Sequence, residues 1–272
     1  MDEASSPALR KYSVLGVGIN ATSYDAVVDR CSEWINERHL NKCCSTAKYI
    51  CVTSVHGVMM AQRDSTLRSI MNHANLATPD GMPIVWALRS FGRKDQQRVY
   101  GPDLMLALCR RAAEAGHRIF LYGSRAKTLH LLEQNLRARY PQLNIVGSYP
   151  DAFHTASHEE DGAIRKTILG SNCDLLFVGI GEPKQNRWMA DHLIAFPGVV
   201  MLGVGAAFDF HAGCVTQAPE WIQHSGLEWL FRLFHEPKRL WKRYLLITPW
   251  FLPRWGIQWL KTRCFRLSNL AS

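Results

Sequence analysis

From Tyr12 to about Phe208, short β-branched apolar runs alternate with longer amphipathic stretches, and nothing else in the chain constrains its fold as strongly. Val14–Ile19, Tyr49–Thr53, Arg118–Tyr122, Asn144–Ser148, Asp174–Gly179 and Val199–Val204 read as strands. Tyr24–Arg38, Pro102–Ala115, Ala126–Tyr140, Glu159–Leu169 and Lys184–Phe196 read as the helices between them. Strands that are apolar along their whole length need cover on both faces, and a parallel sheet flanked by helices supplies it. The expected class is α/β, with a doubly wound, mostly parallel Rossmann-like sheet. Ligands bind such sheets beyond the carboxyl ends of the strands. Hydrophobic residues make up 47% of the 272 positions and charged residues 20%, a balance that excludes a disordered chain.

After Gln217 the pattern changes to short amphipathic helices interrupted by Pro237, Pro249 and Pro253. Pro237 suits a first helical turn, whereas Pro249 and Pro253 are expected to break or kink a helix. The expected division is an α/β domain over residues 12–216 and an amphipathic helical appendage over 217–272. Of the formal net charge of +9, most lies in that appendage, which has nine Lys/Arg against three Asp/Glu and six of the nine Trp. No run reaches the roughly 18 apolar residues of a membrane span, and the N-terminus begins acidic without an apolar signal core. A cytoplasmic, soluble body is expected. The eight cysteines form no CxxC and no metal-ligand spacing with His, so they read as reduced structural thiols.

Several residues are candidates for chemistry. Gly16-Val-Gly18, Gly179-Ile-Gly181 and Gly203-Val-Gly205 stand where glycines let a backbone approach a phosphate, although none completes GxGxxG. Asp80, in Thr78-Pro79-Asp80-Gly81, is either a turn or cap residue or a general base at a strand end. Arg98 suits a phosphate or carboxylate, while Asp103 beside Pro102 reads as a helix cap. Gln185 opens a helix directly after a strand, and Asp209 closes the last strand, where a carboxylate could accept from ribose hydroxyls.

TPDGMP, RVYGPDL, LYGS, GIGEPKQN, GVGAAFDFHAG and APEWIQHSGLEWLFRLFHEPKRLWKRYL follow one another in this order. Together they resemble the WecG/TagA/CpsF family of bacterial glycosyltransferases, over about Val14 to Leu246. The resemblance implies transfer of a sugar, with inversion, from a UDP-sugar to a polyprenyl-diphosphate-linked acceptor. It places the chain in cell-surface polysaccharide synthesis, on the inner face of the cytoplasmic membrane. It makes Asp80 the base and Arg98 a residue of the catalytic cleft. Thr53, His56, Gly181, Gln185, Gly205 and Asp209 become donor contacts, and Arg232, Arg239, Lys242 and Arg243 a clamp on the diphosphate. Arg232 and Arg239, seven apart, are expected to share a helical face with the pair that follows.

No Asp-x-Asp is present, so no metal and no other cofactor is expected. The family's usual Thr-x-Asn is Thr53-Ser54-Val55 in this chain, with His56 beside it either as a substitute polar contact or as a surface residue. That departure leaves the donor sugar open, and Asn186, where Glu is usual, is a smaller change. Trp250, Trp255 and Trp259, interleaved with Arg254, Lys261 and Arg263, suit an anionic membrane surface or, alternatively, a homo-oligomer core. Nucleic acid is not expected as a partner. The competing readings are an NAD(P)-dependent oxidoreductase and a non-catalytic scaffold of a polysaccharide assembly complex.

Overall fold

The computed structural model describes residues 10–40, 45–151 and 157–268, apart from the side chains of His224 and residues 264–268. Six parallel strands form one sheet: β3 (Lys48–Thr53), β4 (Leu76–Pro79), β5 (Arg118–Gly123), β6 (Asn144–Tyr149), β7 (Leu175–Gly179) and β8 (Val200–Gly203). Their spatial order is β4-β3-β8-β7-β5-β6. Two apolar clusters occupy the two faces, one around Leu121, Phe177 and Leu202 and the other around Tyr49, Phe120 and Met201. The doubly wound Rossmann-like expectation is met, and helices join successive strands along its length.

The first strand expected from the sequence is two. β1 (Lys11–Val14) and β2 (Val17–Asn20) pair antiparallel as a hairpin separate from the main sheet. Leu15 and Gly16 both have positive φ, 48° and 79°, as a two-residue turn of matching twist requires. Gly16 and Gly18 therefore belong to a hairpin and not to a ligand loop. Helix Lys184–Asp191 ends before the expected Phe196, and the short helices Val55–Ala61 and Ser65–His73 add to the outline read from the sequence.

A third cluster joins the hairpin to helices Val55–Ala61, Ser65–His73 and Met82–Ser90, and Phe251 from the tail completes it. Gln258 also ties the tail to the hairpin, accepting from Leu15 N–H at 2.8 Å and donating to Ser13 C=O at 2.7 Å. The appendage is thus seated on the body. Its elements are the helices Glu220–Ser225, Glu228–His235 and Pro237–Trp241, a π-helical segment Lys242–Ile247, a 3-10 turn Thr248–Trp250 and helix Phe251–Ser268. Pro249 marks the expected break. Pro253 does not break a helix, because it falls in the first turn of Phe251–Ser268, where an N–H has no intrahelical partner to lose. Cys31, Cys51, Cys109 and Cys173 are buried free thiols and Cys214 is an exposed one. Cys43, Cys44 and the Cys264 side chain lie outside the described residues.

At the amino end of the sheet, Asp174 gathers the charges that lock β5 and β7 to the first helix. It accepts from Arg118 N–H at 2.9 Å, from the Arg118 guanidinium at 2.8 and 3.1 Å, and meets His39 at 2.8 Å. Burial alone would raise its pKa, but the bonds from Arg118 and His39 outweigh that and hold it at about 2. An unfolded Asp titrates near ~3.9. The network's contribution is therefore complete above that value and is lost as pH falls from there towards 2. Asp174→Asn should lower unfolding free energy at pH 7 by about 3 kcal/mol in urea titrations, and flatten the acid dependence below pH 4. An unchanged urea midpoint would count against this network.

Candidate active site

The carboxyl ends of five strands open onto one groove. Ser54 follows β3, Asp80 follows β4, Ser124 follows β5, Gly181 and Glu182 follow β7, and Gly205 follows β8. An inner lobe lies over Asp80, His56 and Arg98, with the tail residues Glu228, Arg232 and Arg243 as its roof. It adjoins a middle lobe, sharing Ser54, Asp80, Tyr100, Arg232 and Arg243 with it. The middle lobe shares Gly181, Gly205, Ala206 and Arg239 with an outer lobe that reaches Ser124 and Asp209. Volumes are about 100 Å³ inside, 160 Å³ in the middle and 770 Å³ outside, so the outer lobe is the one with room for a nucleoside.

Asp80 is aimed into this groove and does not cap a helix. The cap of helix Met82–Ser90 is Gly81, whose φ of 112° suits glycine. Asp80 N–H is held by Thr53 C=O at 3.0 Å, which fixes the strand end beneath it. Its Oδ1 takes two bonds from Arg98, at 3.2 and 3.0 Å from Nε and Nη2. Both fall on one oxygen, and Oδ2 takes none of Arg98's bonds. Burial raises the Asp80 pKa, Arg98 opposes that rise, and the Glu228 charge adds to it.

Arg98 is shared. Its Nη1 lies 2.7 Å from Glu228 Oε2, and its guanidinium stacks over the Tyr100 ring at 3.9 Å. Tyr100 OH donates to Glu228 Oε1 at 3.0 Å. Glu228, only 8% exposed, thus enters the site from the tail with nothing in its local sequence to mark it except Arg232 four residues on.

Glu182, inside GIGEPKQN, is a second residue of the site that was given no role from the sequence. Ser54 Oγ donates to its Oε2 at 2.7 Å and itself accepts from Gly57 N–H, capping helix Val55–Ala61. A Cβ on residue 57 would lie 1.9 Å from Glu182 Oε1, so glycine at that position makes room for the carboxylate. Burial raises the Glu182 pKa against the pull of Ser54 and Arg243.

The other candidates divide. His56 lines the inner lobe; burial, then Arg243, push its pKa down to about 4, so the imidazole is neutral near pH 7. Gly181 and Gly205 line the groove, and Gln185 accepts from Gly205 N–H at 3.0 Å, holding that loop from beneath. Asp209 lies in the outer lobe with Ser124 and Thr128 hydroxyls on its Oδ1, at 3.3 and 3.5 Å. Thr53 is fully buried, bonds Cys51 C=O and lines none of the three lobes. Asp103 sits in the first turn of helix Gly101–Ala115, whose cap is Tyr100.

Arg232, Arg239 and Arg243 all line the groove, but Arg232 and Arg239 do not share a helical face as the spacing suggested. Glu236 leaves helical geometry and Pro237 starts a new helix between them. Lys242 lies outside the three lobes, its Nζ 5.6 Å from the Trp241 ring. Arg232 Nε, Arg243 Nε, His56 Nδ1 and Glu228 Oε2, the last with only its ion-pair contact to Arg98, are buried without a hydrogen-bond partner around the same inner lobe. Buried polar atoms are rarely left so, and four together mark a place shaped for a polar ligand.

A model of the WecG/TagA/CpsF glycosyl transferase family matches residues 12–264. The chain belongs to this family. Among its relatives is the N-acetylglucosaminyldiphosphoundecaprenol N-acetyl-beta-D-mannosaminyltransferase of Bacillus subtilis (strain 168), 31% identical over 192 residues. That match covers 71% of this chain and 73% of the relative. The Rossmann-like sheet therefore carries a glycosyltransferase of polysaccharide biosynthesis. The oxidoreductase reading drops away with that result.

Proposed function

We propose that the protein transfers a sugar from a UDP-sugar to a polyprenyl-diphosphate-linked acceptor, inverting the anomeric centre and using no metal ion. One observation carries the reading: the Asp80 carboxylate, with only Arg98 bonded to one of its oxygens, faces the same groove as Arg232, Arg239 and Arg243. The Bacillus subtilis relative is named for an N-acetylglucosaminyl-diphosphoundecaprenol acceptor, and we assign this chain an acceptor of that class.

In a single displacement the acceptor hydroxyl oxygen forms a bond to the anomeric carbon as the bond from that carbon to the UDP oxygen breaks. Asp80 Oδ2 takes the hydroxyl proton. The departing electron pair stays on the β-phosphate, where Arg232, Arg239 and Arg243 meet the growing charge. The uridine occupies the outer lobe beside Asp209, and His56 contacts a sugar as a neutral imidazole. Three arginines line the groove, and the electrostatic work is assigned to them.

The lipid acceptor suggests where the enzyme works. No helix among the described residues is long and apolar enough to cross a membrane. Of the large hydrophobics exposed among those residues, most lie in the tail, including Trp221, Phe234, Leu245, Trp250 and Ile257. With Lys242, Arg254, Lys261 and Arg263 nearby, these side chains suit peripheral binding to the anionic inner face of the cytoplasmic membrane. Trp255 has no part in such a surface, since it packs inward on the hairpin cluster.

The test is a panel of UDP-sugars (UDP-N-acetylmannosamine, its uronic acid and UDP-glucose) with a short polyprenyl-diphosphate-N-acetylglucosamine acceptor. Transfer is expected from at least one donor, at a rate unchanged by EDTA. A strict Mg²⁺ or Mn²⁺ requirement would overturn the metal-free mechanism. Absence of transfer from every donor would overturn the donor class.

A further inference from the structure

We infer that Glu228 is a positioning residue, which reaches in from the tail to hold Arg98 between two carboxylates and so keeps Asp80 oriented and strongly basic. The inference rests on the reading of Asp80 as the base.

The geometry is that of one guanidinium divided between two acids. Arg98 Nε and Nη2 bind Asp80 Oδ1, while Nη1 is 2.7 Å from Glu228 Oε2. The planar fork leaves little choice of orientation when both ends are held, and the Tyr100 ring 3.9 Å beneath it removes the remaining freedom. Tyr100 OH, bonded to the other Glu228 oxygen at 3.0 Å, fixes the carboxylate in turn. Side-chain exposures of 12% for Arg98 and 11% for Glu228 mean that water screens this pair little.

The arrangement answers a chemical problem. A base held by an arginine is well oriented but weakened, because the cation stabilises the carboxylate that must take a proton. Sharing the same cation with a second carboxylate keeps the orientation and returns part of the basicity. The groups facing Asp80 are few. Arg98, from the loop before helix Gly101–Ala115, and Arg232, from the tail, favour its ionised form, and the tail's Arg243 adds a third positive charge to the same lobe. Glu228 from the tail and Glu182 from the β7 end oppose that form. Tyr24 and Tyr100 are held well above the usual phenol range by burial and stay neutral, and His56 is neutral near pH 7. Of the two opposing carboxylates, only Glu228 touches Arg98. It is also the one carried on the tail, so a tail lifted from the groove would leave Asp80 gripped by Arg98 alone.

The experiment compares the full-length wild type with Glu228→Gln, Glu228→Asp and Asp80→Asn in the transfer assay across pH. Glu228→Gln keeps the shape and loses the charge. Its kcat is expected to fall by about ten-fold, with the donor KM nearly unchanged and the acidic limb of kcat/KM moved to lower pH. Glu228→Asp, which retains the charge, should keep the limb near its wild-type position even if kcat falls. A limb that stays in place or moves to higher pH in a folded Glu228→Gln enzyme overturns the inference. So does a limb that moves to lower pH in the charge-retaining Glu228→Asp, which compared with wild type is the deciding readout should Glu228→Gln not fold. An inactive Asp80→Asn beside an unmoved limb removes the Glu228 role alone, whereas an active Asp80→Asn removes the base assignment beneath it.

Discussion

Asp80→Asn is expected to lower kcat for sugar transfer by about 10³-fold while changing the donor KM little. The general base contributes ~10²–10⁴-fold in reactions of this kind, and the arginines proposed to meet the diphosphate are unaltered by the change. Asn preserves the shape and still lets Arg98 pair with Glu228 at 2.7 Å, so the variant should remain folded. The wild-type pH profile gives an independent check. Burial holds Asp80 above the ordinary carboxylate range despite Arg98, so the acidic limb should lie above the pH at which a free aspartate titrates. Activity falls as pH drops through that limb, because a protonated Asp80 cannot accept the hydroxyl proton. Asp80→Asn should abolish the limb together with the rate. UDP release from a saturating donor, followed with and without acceptor, measures both. A variant with a tenth or more of wild-type kcat would require another base, and neutral His56, across the same lobe, would be the first to test.

What was legible in the sequence follows from how local each signal is. Strands β3, β5, β7 and β8 are buried almost throughout, so their apolar runs stand out, whereas the four-residue β4 is marked by the turn chemistry that follows it at Asp80. The hairpin was less visible, because β1 and β2 are four residues each and run together as one apolar stretch unless the two-residue turn at Leu15-Gly16 is recognised. Glu228 and Glu182 were hidden for a different reason. Each gains its meaning only from a partner far along the chain: Tyr100 for Glu228, Ser54 and the bare Cα of Gly57 for Glu182. The clamp was read in part. Four basic residues at near-helical spacing suggested one face, but Pro237 and the π-helical segment divide them among different elements. Arg243 consequently enters the groove while its neighbour Lys242 does not.

That division sets an order of effects in the clamp. Arg232→Ala is expected to lower kcat by about 10²-fold, the cost typical of removing one preorganised donor from a developing negative charge. Its side chain is 13% exposed, lines both the inner and middle lobes, lies 5.3 Å from the Phe210 ring and has a buried Nε with no partner. Arg239, 55% exposed and already paired with Glu236, acts through more water and should cost about ten-fold. Lys242→Ala, outside the groove, should leave kcat on a short water-soluble acceptor nearly unchanged. Its effect would be confined to binding of anionic vesicles. Single substitutions are better suited to this question than removing the tail. Truncation near Gln217 would take Leu240, Tyr244 and Phe251 out of their buried positions and release the hairpin from Gln258, so an inactive product could reflect lost packing as easily as a lost clamp. Equal losses in Arg232→Ala and Lys242→Ala, measured as kcat on the soluble acceptor, would mean that the tail acts through its total charge and not through arginines placed at the diphosphate.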